Sequence, residues 1–529
     1  MRLGFSYVGL IYLVMLMVPN IIWAGKKPKD YEKYVGNESK VLLAFERAGE
    51  VLVSCAALVF ADFNVRHWDM WSLWLILSLA LMVLYEIYWV RYFRSKRKMS
   101  DFYSDLLKIP VAGATLPVAA FFLLGIYGSN ILMIISTVVL GIGHIGIHLA
   151  HQREVLGERK KMPIGLRIVK WTAVALLTVV FGVISAVIAV RNVRYVGHYP
   201  NMINGVDESL YLPLNGQDQY VLMTGRDVSN PVIVYLHGGP SSPDSYVTYS
   251  FADELTDQFT FVCWDQRGCG RTYFRNIADD PDNSTATFEQ ALADLDALVD
   301  YVRERFGQEK VIVMGHSYGT ILGSQYVLRH PDKVSEYIAV AQVVSLERSD
   351  IYSYQDALRK AKAAGDDTSS LEKAYSVVEN APSLVNLMAL RRLVGEYHPV
   401  AVQESSTWYA VSSPYFGMDD FRWFLKQLGD MGEYFELNKQ LFDYTVAFDA
   451  DKESKDYAVP VYFISGSDDW ICPVDSVKAY YNGITAPKKD IYLIEGCGHN
   501  VQYSLPQEFA TVVAGLALGS APNGSETVD

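Results

Sequence analysis

Long uninterrupted apolar runs fill the first 190 residues, whereas short apolar runs alternate with amphipathic stretches in the rest of the chain. A helix needs about 20 mainly apolar residues to cross a bilayer. Six stretches meet or approach that length, which predicts an all-α transmembrane bundle of about six helices within residues 1–194. They are Leu3–Ala24, Ala44–Phe63, Trp71–Phe93, Ile109–Tyr127, Asn130–Ala150 and Ile168–Val190. The second is the weakest, because Glu46, Arg47 and Glu50 lie in its first turns.

The loops between these stretches alternate in charge. The first, third and fifth loops are rich in Lys and Arg, whereas the second holds only Arg66 and the fourth holds none. Basic loops face the cytoplasm. The alternation therefore predicts a multi-pass plasma-membrane protein, with the bilayer as a partner and residues 195–529 on the extracytoplasmic side.

Residues 195–529 show strand and helix patterns in alternation. Apolar strand-like runs occur at Tyr220–Met223, Val232–Leu236, Phe259–Trp264, Val311–Met314, Tyr337–Val340, Val461–Ile464 and Ile491–Ile494. Helical patterns occur at Thr287–Phe306, Tyr318–Arg329, Val474–Tyr481 and Gln507–Leu518. This alternation predicts a mostly parallel sheet with helices on both faces.

The same half divides into further segments. A purely helical stretch at 345–457 interrupts the alternation, which is typical of a cap inserted into an α/β core. We therefore expect a core formed by 195–344 and 458–519, a polar connector at 191–208 and a disordered tail at 520–529.

Charge separates the two halves of the chain. Residues 1–194 carry 22 basic and 12 acidic side chains, and residues 195–529 carry 24 and 47. An acidic second half argues against nucleic acid as a partner, because phosphates need a basic surface. Oligomeric state is left open by the sequence.

Cysteine and histidine spacing gives little sign of a metal. The five cysteines form no CxxC pair, so we expect no metal and no cofactor in residues 195–529. A disulfide between Cys472 and Cys497 is open, although free buried thiols are the simpler interpretation. His144 and His148 share a helical face near His151, where hydrogen bonding within the bundle is the main alternative to a metal or proton role.

One motif carries most of the chemistry. Gly315-His316-Ser317-Tyr318-Gly319 follows a strand and opens a helix, the context of a nucleophile elbow that exposes a serine hydroxyl above the sheet. The flanking glycines relieve clashes in so tight a turn. We therefore predict Ser317 as the nucleophile.

An acid and a histidine follow in the chain order typical of such hydrolases. Asp468 and Asp469 follow the strand Val461–Ile464, and His499 follows the strand Ile491–Ile494. Serine needs a base to take its proton, and the imidazole needs a carboxylate to fix its tautomer. His499 is the predicted base, and one of the two aspartates is the predicted acid.

An oxyanion hole is predicted beside the elbow. The strand Val232–Leu236 ends in His237-Gly238-Gly239-Pro240. The backbone N–H groups of Gly239 and Tyr318 could together bind the oxyanion of a tetrahedral intermediate.

These motifs, together with Asp265-Gln266-Arg267-Gly268-Cys269-Gly270-Arg271, resemble the prolyl aminopeptidase (proline iminopeptidase) family of α/β hydrolases over residues 205–518. The resemblance implies an α/β-hydrolase fold behind the membrane bundle. In that family the acid lies three residues after a strand-end glycine and four before a proline. Gly466 and Pro473 match this spacing, which implies Asp469 as the acid.

The resemblance leads to an expected function. We expect a membrane-anchored serine hydrolase that cleaves small peptides or aminoacyl amides through an acyl-serine. Glu404 and Glu433, which have aromatic neighbours in the cap, are the predicted ligands of a substrate's free amine. The alternatives are an esterase or lipase acting on membrane-associated esters, and a non-catalytic sensor with a hydrolase-like domain.

Overall fold

The computed structural model describes residues 1–34, 38–66, 68–157, 163–198, 204–381 and 383–519. The predicted disordered tail at 520–529 lies outside these residues. The chain forms two compact units, Met1–His198 and Tyr199–Asp529, which are described separately.

The first unit is helical. Its helices are α1 (Tyr7–Gly25), α2 (Lys40–Val59), α3 (Leu73–Arg94), α4 (Met99–Phe102), α5 (Ala112–Tyr127), α6 (Ile131–Leu156) and α7 (Ile164–His198). Each of the six predicted stretches is helical. Among the described residues, α1, α3, α6 and α7 are long and apolar enough to cross a membrane. The apolar α5 has 16 residues and is shorter than a usual span.

The connector predicted between the apolar helices and the sheet differs from the structure. The polar connector predicted at 191–208 is wrong at both ends, because α7 continues to His198 and a strand begins at Val206. That strand was missed because its outward face is polar and only its inward face is buried. The two-residue turn Asn215-Gly216, with φ of +44° and +84°, joins this strand to the next. Asn-Gly is typical of a β-hairpin turn, so this dipeptide was the sequence signal that could have predicted the strand.

The second unit contains one eight-stranded sheet. Its strands are β1 (Val206–Leu214), β2 (Gln217–Gly225), β3 (Val232–Leu236), β4 (Thr260–Trp264), β5 (Val311–His316), β6 (Val334–Val340), β7 (Val461–Gly466) and β8 (Lys489–Ile494). The order is β1-β2-β4-β3-β5-β6-β7-β8. The pairs β1–β2 and β2–β4 are antiparallel, and all the others are parallel.

Helices cover both faces of this sheet. The core helices are α8 (Tyr249–Ala252), α9 (Gly270–Asn276), α10 (Phe288–Phe306), α11 (Tyr318–Arg329), α19 (Val474–Gly483), α20 (Val501–Ser504) and α21 (Pro506–Ala517). Alternate strand residues pack into two separate apolar cores: Val234 and Val313 on one face, and Ile233 and Ile312 on the other. Strands buried on both faces explain the unbroken apolar runs in the sequence.

The cap is helical, as predicted, and is inserted between β6 and β7. Its helices are α12 (Leu346–Ala364), α13 (Ser369–Asn380), α14 (Leu384–Gly395), α15 (Ser406–Ser412), α16 (Met418–Leu428), α17 (Met431–Leu437) and α18 (Lys439–Ala447). All five cysteines are free: Cys55 is exposed and the other four are buried.

Candidate active site

Ser317 occupies a strained turn between β5 and α11. Its φ of +52° is unusual for a residue with a side chain, and it directly precedes the first residue of the helix. A Cβ on Gly315 would lie 2.3 Å from the carbonyl oxygen of Gly319, and a Cβ on Gly319 would lie 2.1 Å from that of Leu236. Both glycines are therefore required for the helix to pack so closely on the strands.

The three predicted triad side chains form one hydrogen-bonded chain. His499 Nε2 lies 2.9 Å from Ser317 Oγ, and His499 Nδ1 lies 3.0 Å from Asp469 Oδ2. The Asp469 side chain has 0% of its surface exposed, and that of His499 has 14%. The other Asp469 oxygen, Oδ1, accepts the N–H groups of Ile471 and Cys472, both at 2.9 Å. These bonds fix the carboxylate in the orientation that faces the imidazole.

The neighbouring Asp468 makes a different contact. Its Oδ2 accepts the backbone N–H of Ala401, in the cap, at 3.1 Å. The next cap residue, Val402, donates its N–H to the Gly496 carbonyl at 2.7 Å. The cap segment 400–402 thus lies against the loops that carry both the acid and the histidine. Asp469, rather than Asp468, is the carboxylate bonded to His499.

The predicted oxyanion loop lies against the elbow. A Cβ on Gly238 would be 3.1 Å from that of Ser317, so the backbone passes directly beside the serine. Gly239 has a φ of +120°, which favours glycine. Two cap side chains hold this loop, because the Ser241 carbonyl accepts Trp423 Nε1 at 3.0 Å and the Tyr434 hydroxyl at 2.9 Å.

Two further histidines surround the triad without belonging to it. His316 Nε2 lies 3.1 Å from the His499 carbonyl, and His237 Nδ1 lies 2.8 Å from the Gly238 carbonyl. Burial, together with the charge of His499, lowers the pKa of His316 to about 3. Burial lowers the pKa of His237 to about 4. Both rings stay neutral near pH 7 and act as hydrogen-bonding supports, a role that sequence reasoning did not assign.

The Asp265–Arg271 motif is structural and joins the core to the cap. Arg267 pairs with Asp294, with Nε to Oδ2 at 2.6 Å, and both side chains are buried. Arg271 forms a buried ion pair with Asp420 of α16. Asp265 accepts the hydroxyl of Ser245 at 2.6 Å and the backbone N–H of Arg271 at 3.1 Å. The motif therefore fixes the position of the cap.

The two predicted amine ligands lie in different surroundings. Glu404 is solvent-exposed as a residue, and its carboxyl lies near Asn500 and within electrostatic range of His499. Burial by nearby protein atoms raises the pKa of Glu404, and Asn500 and His499 oppose that shift. Glu433 is exposed in the first turn of α17. Among the described residues, no hydrogen bond or ion pair connects it to Ser317, His499 or Asp469.

The active-site groups are poorly suited to hold a metal. Asp469, Cys472 and His499 present ligand atoms within 4.8 Å of one another. Asp469 and His499 already bond to each other. Burial raises the pKa of the Cys472 thiol well above its usual value, which opposes the thiolate that a metal requires.

A mostly parallel sheet with a serine at its strand-to-helix turn and a helical cap defines the class of protein: an α/β hydrolase. The profile of the alpha/beta hydrolase fold family matches residues 231–505, more than half of the chain. The chain belongs to this family and is a hydrolase, so the fold class and the resemblance predicted from the sequence are confirmed.

Individual relatives carry peptidase names. The probable aminopeptidase YbaC of Bacillus subtilis is 26% identical over 315 residues, which cover 57% of this chain and 94% of that protein. A probable proline iminopeptidase of Streptomyces coelicolor is 36% identical over 124 residues, which are 23% of this chain and 36% of that protein. The crystal structure of a proline iminopeptidase-related protein from Thermus thermophilus has a TM-score of 0.40 at 19% identity, covering 60% of this chain and 98% of that one.

Proposed function

We propose that this hydrolase acts through Ser317 as nucleophile. In this mechanism His499 Nε2 takes the hydroxyl proton as Oγ forms a bond to the acyl carbon, and then donates it to the leaving amine as the old bond breaks. Water hydrolyses the resulting acyl-serine by the same route. The observation that carries the proposal is the unbroken path from Ser317 Oγ through His499 to Asp469.

Backbone N–H groups stabilise the tetrahedral intermediate in this proposal. The developing oxyanion is bound by the N–H groups of Gly239 and Tyr318. Support comes from the contact of Gly238 with Ser317 and from Tyr318 being the first residue of α11, where helix N–H groups lack intrahelical acceptors.

The proposed substrates are small peptides or aminoacyl amides with a free amino terminus. The peptidase names of the relatives support this class, as does the Glu404 carboxylate beside the loop that carries His499. A carboxylate there attracts a protonated amine and fixes its register. The role of Glu433 stays a prediction of the sequence, since the structure adds no contact in its favour.

The substrate class is tested with proline- and alanine-β-naphthylamide and their N-acetylated forms. The free amines should be cleaved and the acetylated forms should not, because acetylation removes the charge. Glu404→Gln should raise KM for the free amines roughly tenfold to hundredfold, the cost of one charge-assisted hydrogen bond. It should leave kcat/KM for a neutral ester unchanged. Glu433→Gln is the matched comparison, and equal rates on free and acetylated substrates would contradict the aminopeptidase proposal.

An esterase acting on membrane-associated esters is the second candidate, and one cap surface favours it. Helix α16 exposes four large apolar side chains at helical spacing, and the first residue of α17 exposes a fifth; each is 41–66% exposed. They are Phe421, Phe424, Leu425, Leu428 and Met431. Such a face suits contact with lipid. Faster hydrolysis of a long-chain ester in vesicles than of any free-amine amide would support the esterase instead.

We propose a multi-pass topology with the hydrolase unit outside the cytoplasm, supported by the four long apolar helices and the charged loops. A reporter cysteine near Lys96 should resist an impermeant thiol reagent in intact cells, and one near Asn523, outside the described residues, should react. The exposed Cys55 is first replaced by serine to remove the background. Reaction of both reporters, or of neither, would place them on the same side of the membrane and contradict the three spans expected between them, α5, α6 and α7.

A further inference from the structure

Three side chains of types that can bind metals lie together in the helical unit. Glu46 of α2 and His144 and His148 of α6 each place one ligand atom so that all three lie within 4.8 Å of one another. His144 Nδ1 lies 2.6 Å from Glu46 Oε1, and the two imidazole rings are 4.6 Å apart between centroids. The sequence placed the two histidines on one helical face, and the structure adds the carboxylate.

Close packing of two helices brings the three together. A Cβ on Gly143 would lie 2.2 Å from the backbone N of Glu46, and one on Gly49 would lie 2.4 Å from Leu140 Cα. Helices α2 and α6 therefore approach with backbone against backbone at these two points. Because the ligands project from this tightly packed pair, their relative positions are set before any ion arrives.

A neighbouring side chain orients His148. The hydroxyl of Tyr103, a buried residue, lies 3.3 Å from His148 Nδ1, which leaves Nε2 to bind a ligand. Metal-binding histidines are usually held in this way, with the second ring nitrogen bonded to a fixed partner. His151, one turn further along α6, lies 3.4 Å from Glu38 and so faces the same end of the bundle.

We propose that Glu46, His144 and His148 bind one divalent transition-metal ion, preferentially Zn²⁺, that links α2 to α6. Two imidazoles and one carboxylate form a set that suits zinc, with water in the fourth position. Tetrahedral Zn²⁺ with bonds of about 2.0–2.1 Å places neighbouring ligand atoms roughly 3.3 Å apart. To bind the ion, His144 Nδ1 and Glu46 Oε1, now 2.6 Å apart, must move apart. Ligand atoms that are now up to 4.8 Å apart must move closer together, by about 1.5 Å at most.

The proposal also explains why a carboxylate and two imidazoles meet where α2 packs against α6. Charged side chains in membrane segments are costly and usually serve a function. The simpler alternative is a hydrogen bond between Glu46 and His144 with no ion. The two differ in one measurable property, stoichiometric metal binding.

The test uses the full chain in detergent micelles, purified without a histidine tag, stripped with chelator and titrated with Zn²⁺. Elemental analysis should find one ion per chain, bound with a Kd below about 1 µM. Co²⁺ in its place should give the visible absorption of a four-coordinate nitrogen and oxygen site. Zn²⁺ should also raise the Tm of the wild type, because a ligand that binds only the folded state stabilises it.

The variants locate the site. Glu46→Gln, His144→Asn and His148→Asn should each weaken binding at least tenfold and therefore reduce the rise in Tm. His499→Ala, which disrupts the Asp469–Cys472–His499 set, is the control and should bind Zn²⁺ like the wild type. The proposal is overturned by substoichiometric metal in the wild type, by loss of binding in His499→Ala, or by full binding in Glu46→Gln. If one variant does not fold, the other two still locate the site, and the wild-type stoichiometry decides whether an ion binds at all.

Discussion

Asp469→Asn should inactivate the enzyme while leaving its fold intact. Oδ1 of Asp469 accepts two backbone N–H groups at 2.9 Å, so the amide oxygen of an asparagine must take that position. The NH₂ group then faces His499 Nδ1, where the carboxylate oxygen Oδ2 stood at 3.0 Å. Because NH₂ only donates, Nδ1 must become an acceptor and the imidazole proton moves to Nε2.

A proton on Nε2 leaves the serine without a base. Nε2 lies 2.9 Å from Ser317 Oγ and could no longer accept its proton. In serine proteases this change of tautomer lowers kcat by about 10⁴, which corresponds to roughly 5.5 kcal/mol in the activation barrier. We expect a loss of similar size in kcat for p-nitrophenyl acetate, with Tm changed little.

Asp468→Asn is the matched control for this substitution. Asp468 accepts one N–H, from Ala401, and an amide oxygen can accept it equally well. Its kcat should stay within about threefold of the wild type. The reasoning is refuted if Asp469→Asn keeps more than a tenth of the activity, or if Asp468→Asn loses as much as Asp469→Asn.

Two further predictions concern stability. Asp420→Ala leaves the buried guanidinium of Arg271 without its carboxylate partner. This substitution should lower the free energy of unfolding by about 3–5 kcal/mol, measured by thermal denaturation. Asp419→Ala removes only the partly exposed pair with Arg422 and should cost under about 1 kcal/mol, so equal losses would contradict this account. Glu336 has a buried Oε2 that lacks a hydrogen-bond partner among the described residues, and burial raises its pKa from 4.5 to about 7. The folded state then binds the proton more tightly, so stability falls as pH rises from about 4.5 through 7. Glu336→Gln should raise Tm at pH 8 but not at pH 4, and an equal shift at both pH values would be inconsistent with a titrating carboxyl.

Local pattern was enough to predict the parts of the molecule that depend on neighbouring residues in the chain. Strands buried on both faces appear as apolar runs, which is why Val232–Leu236 was predicted with its observed bounds. The elbow was predicted because a strand, two glycines and a helix are contiguous around Ser317. Strand β1 was missed because a half-exposed edge strand has a mixed composition.

Contacts between distant segments could not be predicted from the sequence. Asp420 was one of several acidic residues in the cap, and only the folded chain pairs it with Arg271, 149 residues away. Similarly, Glu46 weakened the prediction of a second span, and its partner His144 lies 98 residues further on. Such pairings depend on which helices pack together, information that local periodicity does not contain.

Covalent labelling of Ser317 tests the central claim most directly. A fluorophosphonate reacts with a serine only when a neighbouring base activates it, so the reagent reports the nucleophile without knowledge of the substrate. The account predicts one adduct per wild-type chain, located by mass spectrometry on the peptide containing Ser317, with no adduct on Ser317→Ala and little on His499→Ala. Labelling of Ser317→Ala at the wild-type level, or wild-type turnover without any adduct at Ser317, would contradict it.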